Sequence, residues 1–173
     1  MTVASQTWKT LDAGQQTDWE SFAASHPIVN SLGQTVILSP SAMFCKVNIA
    51  LLSNGSAVTL TPPLGLDAGG LSNITVTWTS GALSIVFAPT PSTLKMGVWA
   101  TGIVSPGVTV PPGPGGWRKI GTIVPGASPS TQTTNWVAFF GSPPAADQVT
   151  FVKVCELVNG LWTSGMTRRV IAT

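Results

Sequence analysis

One histidine, His26, two cysteines and six carboxylates are all that this chain of 173 residues offers for acid–base, nucleophilic or metal chemistry. A Ser-His-Asp arrangement would have to use His26 with Asp18 or Asp147. No G-x-S-x-G elbow stands ready to present the serine. Asp18 and Glu20 are two positions apart, so on a helix they do not face one another. No second carboxylate is placed to share a cleft with a proton-donating acid, as glycoside hydrolysis requires. Cys45, Cys155 and His26 are too scattered for a zinc site, so no metal is expected. The two thiols are expected to be buried and unpaired, with a disulfide between them as the lesser alternative. The glycines of Pro111–Gly116 lack the lysine and hydroxyl of a phosphate loop. These absences argue against an enzyme, and no cofactor is expected. A hydrolase, the third class, rests only on His26 and the scattered carboxylates.

Tryptophan is the informative residue type. There are seven, with no tyrosine. Trp19 and Trp78 fall in periodic patterns and belong to a core. Trp8 lies before the first helical pattern, and Trp117 and Trp162 flank loops. Trp8, Trp117 and Trp162 are therefore the candidate contacts, either to other subunits, where tryptophan is enriched, or to sugar rings. Each could equally fold back onto its own core.

The elements that must carry these side chains fall in two groups. Asp12 is a helix cap, and Leu11, Gln15, Trp19, Phe22 and Ala23 follow at spacings of three and four, predicting a helix over 12–25. His26-Pro27 stops it. A glycine turn and a short strand at Thr35–Leu38 come next. Ser39 then caps a second helix with Pro40 in its first position, and Asn54-Gly55 closes it. From Ala57 onward the pattern becomes short strands: 57–61, 72–79, 82–88, 95–104, 117–124, 134–140, 148–157 and 161–171. Asn159-Gly160 reads as a hairpin turn between the last two. Strands at this spacing suggest a sandwich of two antiparallel sheets. The arm Thr2–Lys9 reads as disordered, or as a strand for a neighbour's sheet edge. The expected fold is thus mainly β: a short helical N-terminal region over 1–61, acting in assembly, and an antiparallel, Ig- or FN3-like sandwich over 62–173, with the boundary at Pro62-Pro63.

Composition points the same way. Only 8% of residues are charged, against about 25% in an ordinary domain. A surface this neutral keeps copies apart poorly, so much of it is expected to be buried against other copies. The net charge of +2 is too small for a nucleic-acid surface. Arg118-Lys119 and Arg168-Arg169 are the only basic doublets. No apolar run is long enough to span a membrane, and residues 1–16 do not read as a signal peptide. Synthesis in a host cytoplasm is expected.

The run Thr17-Asp-Trp19-Glu-Ser-Phe-Ala23-Ala-Ser-His-Pro27, then Leu32-Gly33, then Leu38-Ser39 leading to Phe44 and Val47-Asn48, resembles a family of uncharacterised bacterial and phage-associated proteins. There a Trp and Phe-Ala helix, a glycine turn, an aromatic and Asn helix and a Pro-Pro linker precede an immunoglobulin- or fibronectin-III-like domain. Pro62-Pro63, Gly141, Val149–Val158, Asn159-Gly160 and Ser164 fit that layout. Ser41-Ala42 departs from it, standing where relatives carry a glycine-aromatic pair. The resemblance implies packing motifs and no catalytic residue. It implies a structural protein of a phage or phage-like filament: a capsid, decoration, tail or fibre subunit. Its partners would be copies of itself and other virion proteins, and its place a virion or extracellular assembly. The alternative is a carbohydrate- or surface-binding module using Trp117 and Trp162.

Overall fold

The computed structural model describes residues 3–30, 32–63, 71–88, 95–124, 126, 128–158 and 160–173. The chain is mainly β with antiparallel sheets and a few short helices. It divides into two compact units, Met1–Asp67 with Asn159–Leu161, and Ala68–Val158 with Trp162–Thr173.

The first unit is built on helices α1 (Val3–Trp8), α2 (Ala13–Ser25) and α3 (Pro40–Leu52), with a small hairpin of β1 (Ile28–Val29) and β2 (Thr35–Val36). Asp12 Oδ1 accepts the Gln15 N–H at 2.8 Å, and Gln15 Oε1 accepts the Asp12 N–H at 3.1 Å. That reciprocal pair satisfies two otherwise orphaned donors and fixes where α2 begins. Ser39 caps α3 in the predicted way, accepting the Ala42 N–H at 3.3 Å. Buried Trp19, Phe22, Met43, Phe44 and Val47 form the core, together with Ala4, Leu11, Ala23 and Leu161. Asn48 lies at its edge, fully buried. Its Oδ1 accepts the Thr59 N–H at 2.8 Å, and its Nδ2 donates to the carbonyls of Thr59 and Phe44.

Two expectations change here. The N-terminal arm is helical from Val3 to Trp8, because Ala4 drops into the core and Trp8 packs on Phe44 at 5.5 Å. Thr2 lies outside the described residues. Residues 57–61 are not a strand. Side chains rather than a sheet neighbour bond their backbone: Asn48 takes both groups of Thr59, Trp19 Nε1 donates to the Leu60 carbonyl and Thr59 Oγ1 to that of Thr61.

The second unit holds two antiparallel sheets. One runs β3 (Asn73–Thr79), β4 (Ala82–Ala88), β7 (Ser130–Thr131). The other runs β10 (Met166–Ile171), β8 (Val149–Val158), β5 (Lys95–Ala100), β6 (Arg118–Ile123), with β9 (Leu161–Trp162) also paired to β8. Alternate residues of both sheets enter one buried cluster. Ile74 and Trp78 come from β3, Leu83, Ile85 and Phe87 from β4, Met96 and Val98 from β5, and Val152 and Val154 from β8.

The predicted strand over 134–140 is instead helix α4 (Thr133–Phe140). Its β-branched and aromatic residues suit a strand. However, Trp136 and Phe140 are one turn apart, and their rings meet at 4.7 Å, with Trp136 fully buried beside Trp78. The helix also ties into β4, as Thr133 Oγ1 accepts the Leu83 N–H at 2.8 Å. The expected strand 95–104 stops at Ala100, leaving only a bridge from Val104 to Val149. The last expected strand breaks at Gly165, in the left-handed region at φ 72°, into β9 and β10. Asn159 of the hairpin turn lies outside the described residues. The Pro/Gly-rich stretch before β6 is pinned by Arg169, which donates to the carbonyls of Pro106 and Val108 at 2.6 and 3.0 Å.

Candidate functional site

The three candidate tryptophans sit in different surroundings. Trp8 is half-buried against Phe44. Trp117 is half-buried too, and its indole donates to the Pro112 carbonyl at 3.2 Å, so it anchors its own loop. Trp162 alone belongs to a cluster of chemically distinct groups, on the second unit's larger sheet.

The strand register builds that cluster. Trp99 on β5 stands opposite Lys119 on β6 and opposite Lys153 on β8, and Lys153 stands opposite Thr167 on β10. Met96 and Val98 on β5 point into the core, so period two sends Gly97 and Trp99 to the outer face. From β9, Trp162 meets Trp99 edge to face, with centroids 5.0 Å apart and planes at 86°. Lys119 Nζ lies 4.7 Å from the Trp162 centroid and 5.9 Å from that of Trp99, within reach of a cation–π contact. Burial lowers the Lys119 ammonium from its usual value of 10.5.

Glycine at 97 makes the cluster possible. A Cβ there would lie 2.5 Å from the far ring atoms of Trp99 and 2.9 Å from Trp162. Cys155, opposite Gly97, completes the floor. Burial raises its thiol above 9.0, against a smaller lowering effect of the Lys153 charge. Cys155 is buried and Cys45 half-buried, and both are free thiols. Full burial of both was expected. Cys45 falls short because it sits at the rim of the core beside α3's buried Phe44.

Charge is also partitioned. Residues 68–173 carry six basic side chains and two acids, whereas 1–67 carry two and four. Of the two acids, Asp147 occupies a turn and Glu156 is buried at 2% exposure on the core side, opposite Met96. On the described strands of the larger sheet, the outer-face positions thus include Lys119 and Lys153 and no Asp or Glu.

His26 is the C-cap of α2 and is tied back to that helix. Its Nδ1 lies 2.9 Å from the Phe22 carbonyl and 3.0 Å from Ser25 Oγ. A carbonyl can only accept, which assigns the proton to Nδ1. The Ser25 hydroxyl in turn donates to helix carbonyls of Ser21 and Phe22, both at 3.0 Å. The Ser25 hydroxyl proton and the His26 Nδ1 proton are thus both committed to the end of α2. A shallow concavity beside them, about 580 Å³, is lined by Asp18, Ser21, Phe22, Ser25, Thr61 and Pro62. Among the described residues no group of three or more His, Cys, Asp or Glu could hold a metal ion. No described helix is long and apolar enough to cross a membrane.

Sequence reasoning singled out Trp162 but missed Trp99, Gly97, Lys119 and Lys153. The alternation of Lys95 to Ala100 could have put Trp99 on a strand face, but cross-strand partners are not readable from spacing. Comparison with protein-family models, curated proteins and solved structures finds no match for the chain.

Proposed function

We propose that the protein is a self-assembling structural subunit that works through contacts between copies, most specifically a capsid, decoration, tail or fibre component of a phage-type virion. The observation that carries this reading is the β1–β2 hairpin. Val29 is 68% exposed, Leu32 80% and Ile37 62%, all within one short segment of a chain with few charges. Clustered exposed apolar side chains rimmed by polar residues mark protein contact sites. Few charges leave little else to hold copies apart. We read the second unit's two sheets as an Ig-type sandwich. Lettered in chain order, the strands group as A-B-E (β3, β4, β7) and G-F-C-C′ (β10, β8, β5, β6), the sharing of strands in such sandwiches. The virion assignment rests on the resemblance of the α2–α3 motifs and the final hairpin to phage-associated proteins. In this reading the subunit is made in a host cytoplasm and is incorporated into the particle beside other virion proteins.

The test is mass photometry over a concentration series, with negative-stain electron microscopy of the same samples. Rings, tubes, fibres or shells are expected. Leu32→Asp with Ile37→Asp is expected to shift the population toward monomer while leaving the circular dichroism spectrum unchanged. A uniform monomer at every concentration overturns the proposal.

A further inference from the structure

The outer face of the larger sheet carries an inference that does not depend on assembly. Across four adjacent strands the side chains run Lys119, Trp99, Lys153, Thr167. Trp162 closes one side at right angles to Trp99. Two basic strand positions flank an indole, with their Cα atoms about 9.5 Å apart, twice the spacing between strands. The acids of this unit lie elsewhere, one in a turn and one on the core side.

We propose that this face binds an acidic carbohydrate chain, with the indoles of Trp99 and Trp162 against sugar rings and the ammonium groups of Lys119 and Lys153 on the carboxylates. A saccharide ring has an apolar C–H face and a polar rim, and that pairing suits an indole bordered by donors. The charge complement selects the acidic class. The cations on this face attract carboxylates, and the described strands place no Asp or Glu of their own beside them. A nucleic-acid strand fits less well, because backbone tracking takes a continuous row of cations beside successive stacking rings. Here one flat indole lies between two lysines. Gly97 is the enabling residue, since any side chain there would displace both rings. Trp162 is common to this site and to the loop-tryptophan expectation. Trp117 is not, being bonded to its own loop.

The experiment is isothermal titration of the full-length protein with three probes: alginate hexasaccharide, neutral maltohexaose and the oligonucleotide dT10. Indole N–H shifts of the ¹⁵N-labelled protein are followed in parallel. Binding of the alginate oligomer, weakened by salt, is expected, with shifts confined to Trp99 and Trp162. Lys153→Gln should weaken it about tenfold, the loss of one charge-assisted hydrogen bond, and Trp162→Ala should abolish it. Lys153 is on the sheet surface, so its variant keeps the proposal testable if the tryptophan variant misfolds. The proposal is overturned by no alginate binding, by equal binding of maltohexaose, by binding of dT10 alone, or by an unchanged affinity in Lys153→Gln. Because the readout is a ligand affinity, it stands or falls separately from the oligomeric state.

Discussion

Replacing Asn48 by alanine removes the side chain that joins α3 to the stretch following it. Three hydrogen bonds are lost: Thr59 N–H to Oδ1 at 2.8 Å, and Nδ2 to the carbonyls of Phe44 at 3.1 Å and Thr59 at 3.2 Å. Each is worth about 1 kcal/mol net. The Phe44 carbonyl keeps its helical partner, so its bond is the most dispensable. The Thr59 amide and carbonyl lose theirs without a sheet neighbour to replace them, and a polar group stranded away from water adds to the cost. The expected loss is about 2–4 kcal/mol in the first unit. Two units can unfold in separate steps, so one global midpoint is a poor measure. Hydrogen exchange read by NMR is better, because it reports each amide separately. In Asn48→Ala, Thr59 exchange should approach that of an open loop, and amides of α3 should lose protection by about 1.5 to 3 orders of magnitude, at about 1.4 kcal/mol per tenfold. Asn48→Asp keeps the acceptor but not the donor, so Thr59 N–H protection should be partly retained. If Asn48→Ala costs less than about 0.5 kcal/mol, or the α3 amides keep their protection, the bonding account of this segment is refuted.

Gly97→Ala should cost about 1–3 kcal/mol through overpacking against Trp99 and Trp162, seen as a lower urea midpoint; an unchanged midpoint would mean the rings move aside freely. Glu156 is buried with its Oε1 unpartnered among the described residues, so Glu156→Met should raise stability by about 1–3 kcal/mol, and a loss on thermal unfolding would show that the carboxylate is held by the fold. Burial raises the Cys155 thiol above its ordinary 9.0, so it stays protonated in the folded chain where the unfolded thiol ionises. Folding therefore releases no benefit below that pH and loses stability above it. Iodoacetamide should accordingly leave native Cys155 unmodified at pH 8 and label it on unfolding, as peptide mass spectrometry would show.

What could be read from residue order was local. Asp12 with Gln15, and Ser39 with Pro40, mark helix starts because a cap acts on the backbone three residues on, and the structure makes those bonds. Although their pairing across Ser80-Gly81 was not predicted, strands β3 and β4 were legible as segments from their local alternation. α4 was not. Thr134 to Phe140 has the composition of a strand, and what decides for helix is Trp136 reaching Trp78 from a distant part of the chain. The α1 helix is similar, as its short polar sequence is held by burial of Ala4 and by Trp8 on Phe44. The candidate site was half legible. Trp162 stood out beside a turn signal, whereas Trp99, Lys119 and Lys153 become neighbours only through register, a property of paired strands that no single segment contains.

Leu161 belongs to the core of the first unit although the chain between Asp67 and Asn159 is built into the second. The glycine before it sits at φ 81°, and a Cβ there would lie 2.5 Å from Val47 Cγ1. Cutting at Pro62-Pro63 would therefore not yield two interchangeable cassettes. A fragment ending there lacks Leu161, a core side chain supplied from much later in the chain. Recombination that swapped only the C-terminal part would import a foreign residue into the helical core, so the two parts are expected to be inherited together, and the final hairpin to vary in step with α3.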